Sequence, residues 1–257
     1  MPRALLPAAS YYAAMLFAWV ARHPLTFLIG TLVCAVVLGV TGQSLHDVSW
    51  LPVFALVTGL TFALIGLSMV GTLRYHPAVL TARPAEQAFA TARNPALLFM
   101  AAAFTFLGAS LVSENINDIA AAEDLWVLDA ATSTLWVLLV VLQWYSALGA
   151  RGVRLRPDGI HDQQPLGSLF IPWEALAVPF GATPKSAVQL YLNYQQPRLI
   201  RKRGFRPGAQ VLTSGTDSGY LAWVIHEYLT SPERRPAIGT DAELHRLSAG
   251  YETSSPR

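Results

Sequence analysis

The sequence predicts an α-helical membrane domain of four transmembrane helices, followed by a C-terminal α+β domain: a β-roll with a capping helix. Three observations carry this prediction. Apolar residues make up 53% of the 257 residues and charged residues only 13%, where a soluble domain carries about 25% charge. The deficit is local, because long apolar runs fill the first half and most of the charge lies after Arg151. Beyond Arg151, short β-rich runs give way to a single strongly amphipathic helical stretch. The boundaries expected are 1–149 for the membrane domain with short interfacial helices, 150–232 for the roll, and 233–257 for a short helix and disordered tail.

The four runs are 25–42, 51–73, 95–113 and 125–148, all free of Lys and Arg. Each approaches the roughly 20 residues needed to cross a bilayer core. "QSLHDVSW" joins the first pair and "SENINDIAAAED" the second. These two loops lack cations and carry Asp47, Glu114, Asp118, Glu123 and Asp124. The remaining connections hold Arg3, Arg22, Arg74, Arg83, Arg93, Arg151, Arg154 and Arg156. Cationic flanks stay in the cytoplasm, so both termini are expected inside, in a bacterial inner membrane. Lysine occurs only at 185 and 202 against abundant Arg and Ala, a codon bias that fits a GC-rich bacterial genome.

One phrase occurs twice: "ARHPLTFL" from Ala21 and "ARNPALLF" from Ala92. Proline is tolerated at the first helical position and disfavours helix just before it. Arg22 or Arg93 can snorkel to head groups. The phrase therefore reads as a break, an anchor and then a spanning helix. "YYAAMLFAWV" before the first copy and "PAEQAFATA" before the second both read as short helices lying in the interface. The spans would then form two parallel hairpin repeats, or two unrelated hairpins with a shared signal. Small residues recur at four-residue intervals as Thr31, Ala35 and Gly39, as Gly59 and Ala63, and as Ala101, Thr105 and Ala109. Such rows let helices approach closely, within the bundle or in a homo-oligomer.

In the second half "GVRLR", "GIHDQ", "SLFIPW", "ALAVPF", "AVQLYLNY" and "AQVLTS" read as strands separated by Gly and Pro turns, with an edge strand near Arg198 to Arg203. "DSGYLAWVIHEYLTSPERR" reads as a helix capped at Asp217 or Ser218 and stopped at Pro232. "TDAE" at Thr240 is a capping box for a second short helix. Strands in succession and then one helix follow the pleckstrin-homology (PH) order. "GVRLRPDGI", "FIPWEAL" and "LAWVIHEYLTSPERRPAIGT" resemble the PH-like domain of largely uncharacterised bacterial, especially actinobacterial, multi-pass membrane proteins. The likeness covers about residues 151–240 and implies a membrane-tethered binding module.

The candidate binding site is "RLIRKRGFR", in which Arg198, Arg201, Lys202, Arg203 and Arg206 place five cations in nine residues. Such a cluster beside a membrane attracts anionic lipid at about 1 kcal/mol per charge. The function expected is a membrane-anchored scaffold whose soluble domain docks lipid head groups or an acidic protein. The rival is a small transporter or channel built on Asp129, an ionisable residue within the fourth span. No enzyme is expected: Asp217-Ser218-Gly219 matches half of an aspartic-protease pair but has no second copy. The histidines, His226 included, lack metal-ligand spacing. Cys34 is alone, so neither an intramolecular disulfide nor a cysteine-rich metal site can form. With a net charge of +2 and no reader motif, nucleic acid is not an expected partner, and no cofactor is expected.

Overall fold

The computed structural model describes residues 8–44, 51–120, 125–149, 152–205 and 208–254. The chain forms two compact units: Met1–Tyr75 with Pro95–Gly149, and His76–Asn94 with Ala150–Arg257.

The first unit is helical. It comprises α1 (Ala8–Arg22), α2 (Pro24–Ser44), α3 (Leu51–Arg74), α4 (Pro95–Ala120) and α5 (Trp126–Leu148). The last four are each long and apolar enough to cross a membrane. Both repeated phrases start a helix at their proline: α2 begins at Pro24 and α4 at Pro95. The outer surface is apolar, while the interior is built from small residues and a few large ones. Thr31 and Ala35 of α2, and Ala101 and Thr105 of α4, face inward, so these rows serve packing within the bundle. Gly59 and Ala63 of α3 face outward. Ser68 Oγ donates to the Ala96 carbonyl at 2.9 Å, and Trp144 Nε1 donates to Thr105 Oγ1 at 2.9 Å. Phe17 of α1 is buried edge-on between Tyr75 and Phe99. The third helix of the predicted bundle runs on to Ala120, through residues expected to form a loop. Ser113–Ala120 contains no Gly or Pro to stop it, and Asn115 Nδ2 donates to the Asp129 carbonyl and to Ser133 Oγ. The first loop, 45–50, and residues 121–124 of the second lie outside the described residues.

The second unit holds a six-stranded antiparallel sheet in the order β1-β2-β3-β4-β5-β8 and a three-stranded one, β6-β7-β9. The strands are β1 (Leu80–Arg83), β2 (Ala88–Thr91), β3 (Gly152–Arg156), β4 (Gly159–Gln164), β5 (Gly167–Pro172), β6 (Ala182–Pro184), β7 (Gln189–Leu192), β8 (Arg201–Gly204) and β9 (Val211–Thr213). Helix α6 (Ser218–Thr230) contributes Tyr220, Leu221, Val224, Ile225 and Tyr228 to the core, and α7 (Asp241–Ser254) contributes Leu247. Asp217 caps α6, its Oδ1 accepting from Tyr220 N at 2.8 Å. The terminal segment is therefore an ordered part of this unit as far as Ser254.

The clearest departure from the sequence reading is "PAEQAFATA". It is no interfacial helix but most of a β-hairpin, β1–β2, paired to β3 through Phe89↔Leu155 and Ala90↔Arg154. The boundary at 149 thus omits a piece of the second unit inserted between α3 and α4. Buried Thr216 latches its base: Oγ1 accepts from Ala92 N and donates to the Val79 carbonyl, each at 2.9 Å. Gly239 allows the hairpin's turn to pack close, since a Cβ there would lie 2.6 Å from Ala88 N and its φ is +94°. The second copy of the expected repeat unit therefore lacks its in-plane helix, because the segments before the two phrases differ in kind. "ALAVPF" also departs, forming a 3₁₀ turn at Trp173–Ala175 and a loop through a cis Val178–Pro179 bond.

Candidate binding edge

Strand β8 ends the six-stranded sheet and pairs only with β5, as Gly167↔Gly204, Ser168↔Arg203, Leu169↔Lys202 and Phe170↔Arg201. Cations on an edge strand discourage strand addition from another chain, which is the structural role to set against a binding one. Alternation splits the three cations. Lys202 shares a face with buried Leu169, whereas Arg201 and Arg203 lie on the opposite face. All three are exposed, and so is Arg198, in the 3₁₀ turn Pro197–Leu199. Arg206 lies outside the described residues.

Among the described residues these cations have no carboxylate partner, unlike most other arginines of the unit. Elsewhere in the unit Arg83 and Arg154 meet Glu86 at 3.1 and 2.7 Å, Arg156 meets Asp158, Arg234 and Arg246 meet Glu227, and Arg235 meets Glu174. Among the described residues no carboxylate pairs with Arg198, Arg201, Lys202 or Arg203. Four cations so placed keep their full field for an external anion. Beside them a cleft of about 650 Å³ is lined by Tyr191, Tyr194, Ile200, Lys202 and Gln210 among others. Lys202 is the charged residue in that lining.

The other predicted residues fall elsewhere. Asp129 lies half-buried in the first turn of α5, where a carboxylate suits the helix dipole. Among the described residues no cluster of three His, Cys, Asp or Glu could hold a metal. His226 Nδ1 faces the Pro179 carbonyl at 2.9 Å. Trp173 is buried, donates from Nε1 to the Arg156 carbonyl, and packs against Tyr228 and under the Arg235 guanidinium. Burial lowers the Arg235 pKa. The quoted motifs around Trp173, Arg235 and Gly239 therefore do structural work. Two exposed apolar side chains stand next to the cations: Phe205 (73% exposed), within the basic run itself, and Leu166 (66%), which sequence reasoning missed. Phe205 N donates to the Leu166 carbonyl at 2.8 Å, so the two are neighbours.

No known protein family, curated protein or solved structure matches the chain.

Proposed function

We propose that the chain is a membrane-anchored binding protein, whose second unit is a cytoplasmic PH-like roll that docks anionic lipid head groups or an acidic protein through β8. The observation that carries the reading is the run of Arg201, Lys202 and Arg203, exposed on one edge strand and, among the described residues, unmatched by carboxylates. The roll is supported by its two antiparallel sheets and by α6, whose apolar stripe joins their common core. Topology supports the sidedness. Strand β2, between α3 and α4, pairs with β3, which follows α5, so those connections share one side of any membrane the helices cross. Their arginines support a cytoplasmic placement of that side. The helices act as an anchor.

Hydrogen exchange on the full chain in lipid nanodiscs tests this. Amides of 201–204 should exchange more slowly in discs containing phosphatidylglycerol, or in phosphatidylcholine discs given polyglutamate, than in phosphatidylcholine discs alone. High salt should reverse the protection. Exchange that is the same under all these conditions overturns the reading.

A further inference from the structure

Resting on that reading, we propose that the binding partner is the anionic bilayer itself, and that Leu166 and Phe205 insert into it as an apolar wedge flanked by the β8 cations. Sheet register places the wedge. Strand β3 begins at Gly152, opposite Gln163 of β4; the β4–β5 turn follows at once, with Gln164 opposite Gly167; and Gly167 lies opposite Gly204 of β8. Because Gln163 also lies opposite Ser168 and Ser168 opposite Arg203, Gly152, Gln163, Ser168 and Arg203 form a row across one end of the sheet. Leu166 and Phe205 stand just beyond that row.

The same end receives every chain crossing from the helical unit. The chain arrives from α3 at Leu80, leaves for α4 after Thr91, which pairs with Leu80, and returns from α5 at Gly152. Thr91 Oγ1 accepts from Val153 N, which fixes Thr91 beside the start of β3. Three residues separate Leu148 from Gly152, a reach of at most about 14 Å. From β3 to β8 is three strand spacings, again about 14 Å. The wedge therefore stands at the end of the sheet where the chain passes to and from the helices, and Asp158 lies at the other end.

Local chemistry keeps the pair exposed. Gly204 has φ +70°, and a Cβ on it would lie 2.3 Å from the Leu166 carbonyl; a Cβ on Gly167 would lie 2.6 Å from the Arg203 carbonyl. Two glycines therefore let the 164–167 turn press onto the end of β8, which brings the Leu166 and Phe205 backbones together while both side chains stay exposed. Apolar side chains beside unpaired cations suit a surface that is anionic outside and apolar beneath. An acidic polypeptide would satisfy the charge and leave the wedge in water.

The test uses the full chain in nanodiscs with its single cysteine removed by Cys34→Ala. A bimane fluorophore is placed at Phe205→Cys, at Leu166→Cys, or at Asp158→Cys, an exposed control at the far end of β3. With phosphatidylglycerol present, emission at 205 and at 166 should shift to the blue and be quenched by lipids spin-labelled near the top of the acyl chain. Emission at 158 should not change, and R201Q/K202Q/R203Q should abolish both effects. Slowed exchange at 201–204 without any shift at 166 or 205 would leave charge docking standing and overturn insertion. Protection by polyglutamate but not by phosphatidylglycerol would make the partner an acidic protein and overturn this proposal. No protection by either would overturn both readings.

Discussion

The phrase Ala-Arg-x-Pro stands before α2 and again before α4, yet the chain ahead of it is a helix in one place and a hairpin in the other. Both segments are short and rich in alanine. The difference lies in what each can pack against. Ala8–Arg22 presents Phe17 and Val20 together on one side, and both are buried. In 80–91 the apolar residues Leu80, Ala88, Phe89 and Ala90 find a ready strand, β3, to extend. An identical start signal therefore says nothing about what comes before it. The tertiary partner decides.

The largest effect should come from removing the partner's anchor. Phe89 is fully buried against Leu155 and its neighbours, and Phe→Ala in a core costs about 3–5 kcal/mol. Phe89→Ala should lower the melting temperature of the second unit sharply, read by thermal denaturation of the full chain in detergent. For the same reason residues 150–257 alone, lacking β1 and β2, should show no cooperative transition.

Next comes the latch. Thr216→Val keeps shape but strips the hydroxyl from Ala92 N and the Val79 carbonyl. Leaving such groups unsatisfied costs about 1–3 kcal/mol. Hydrogen exchange should quicken across 80–91 first, while α1 is untouched. A uniform change in both segments would break the contrast drawn between them.

A pH test bears on α7, which packs against β1. Burial alone would raise the Glu243 pKa, but the Arg246 hydrogen bond and charge outweigh it, so the carboxyl lies below its usual value. A carboxyl depressed in the folded state stabilises above its unfolded pKa, and that stabilisation is lost as pH falls through the folded one. Melting temperature should therefore decline on acidification below the ordinary glutamate range. Glu243→Gln should flatten that decline and lower stability at neutral pH.

Much of this architecture was legible in the residues. The spans follow from length and composition, β3 to β5 from alternation around "PDG", and α6 from its stripe and the Asp217 cap. The hairpin was not, because "LTAR" and "AFAT" are too short and too alanine-rich to alternate, and their pairing partner lies more than 60 residues away. "ALAVPF" misled through its apolar content, since two of its residues, Val178 and Phe180, are exposed in a loop. At the candidate site the cations were visible as a run. That no described carboxylate pairs with them was not, because pairing depends on which acids the fold brings near. Leu166 and Phe205 lie 39 positions apart, and only strand register makes them neighbours.

The smallest effect concerns the hairpin's own turn. Gln87 has φ 46° and ψ 53°, a left-handed conformation, and its side chain is exposed. A non-glycine residue pays about 1 kcal/mol there. Gln87→Gly would relieve that cost but give the unfolded chain more freedom, at about 0.5–1 kcal/mol. The two nearly cancel, so stability should move by less than about 0.5 kcal/mol, the usual range for a surface change. Gly239, packed against this turn, cannot make the reciprocal exchange: Gly239→Ala must push its Cβ into Ala88 N and the Gln87 backbone. Equal and small effects at both positions would mean that the turn does not sit against Gly239, and the hairpin would lose its claim to belong to the second unit.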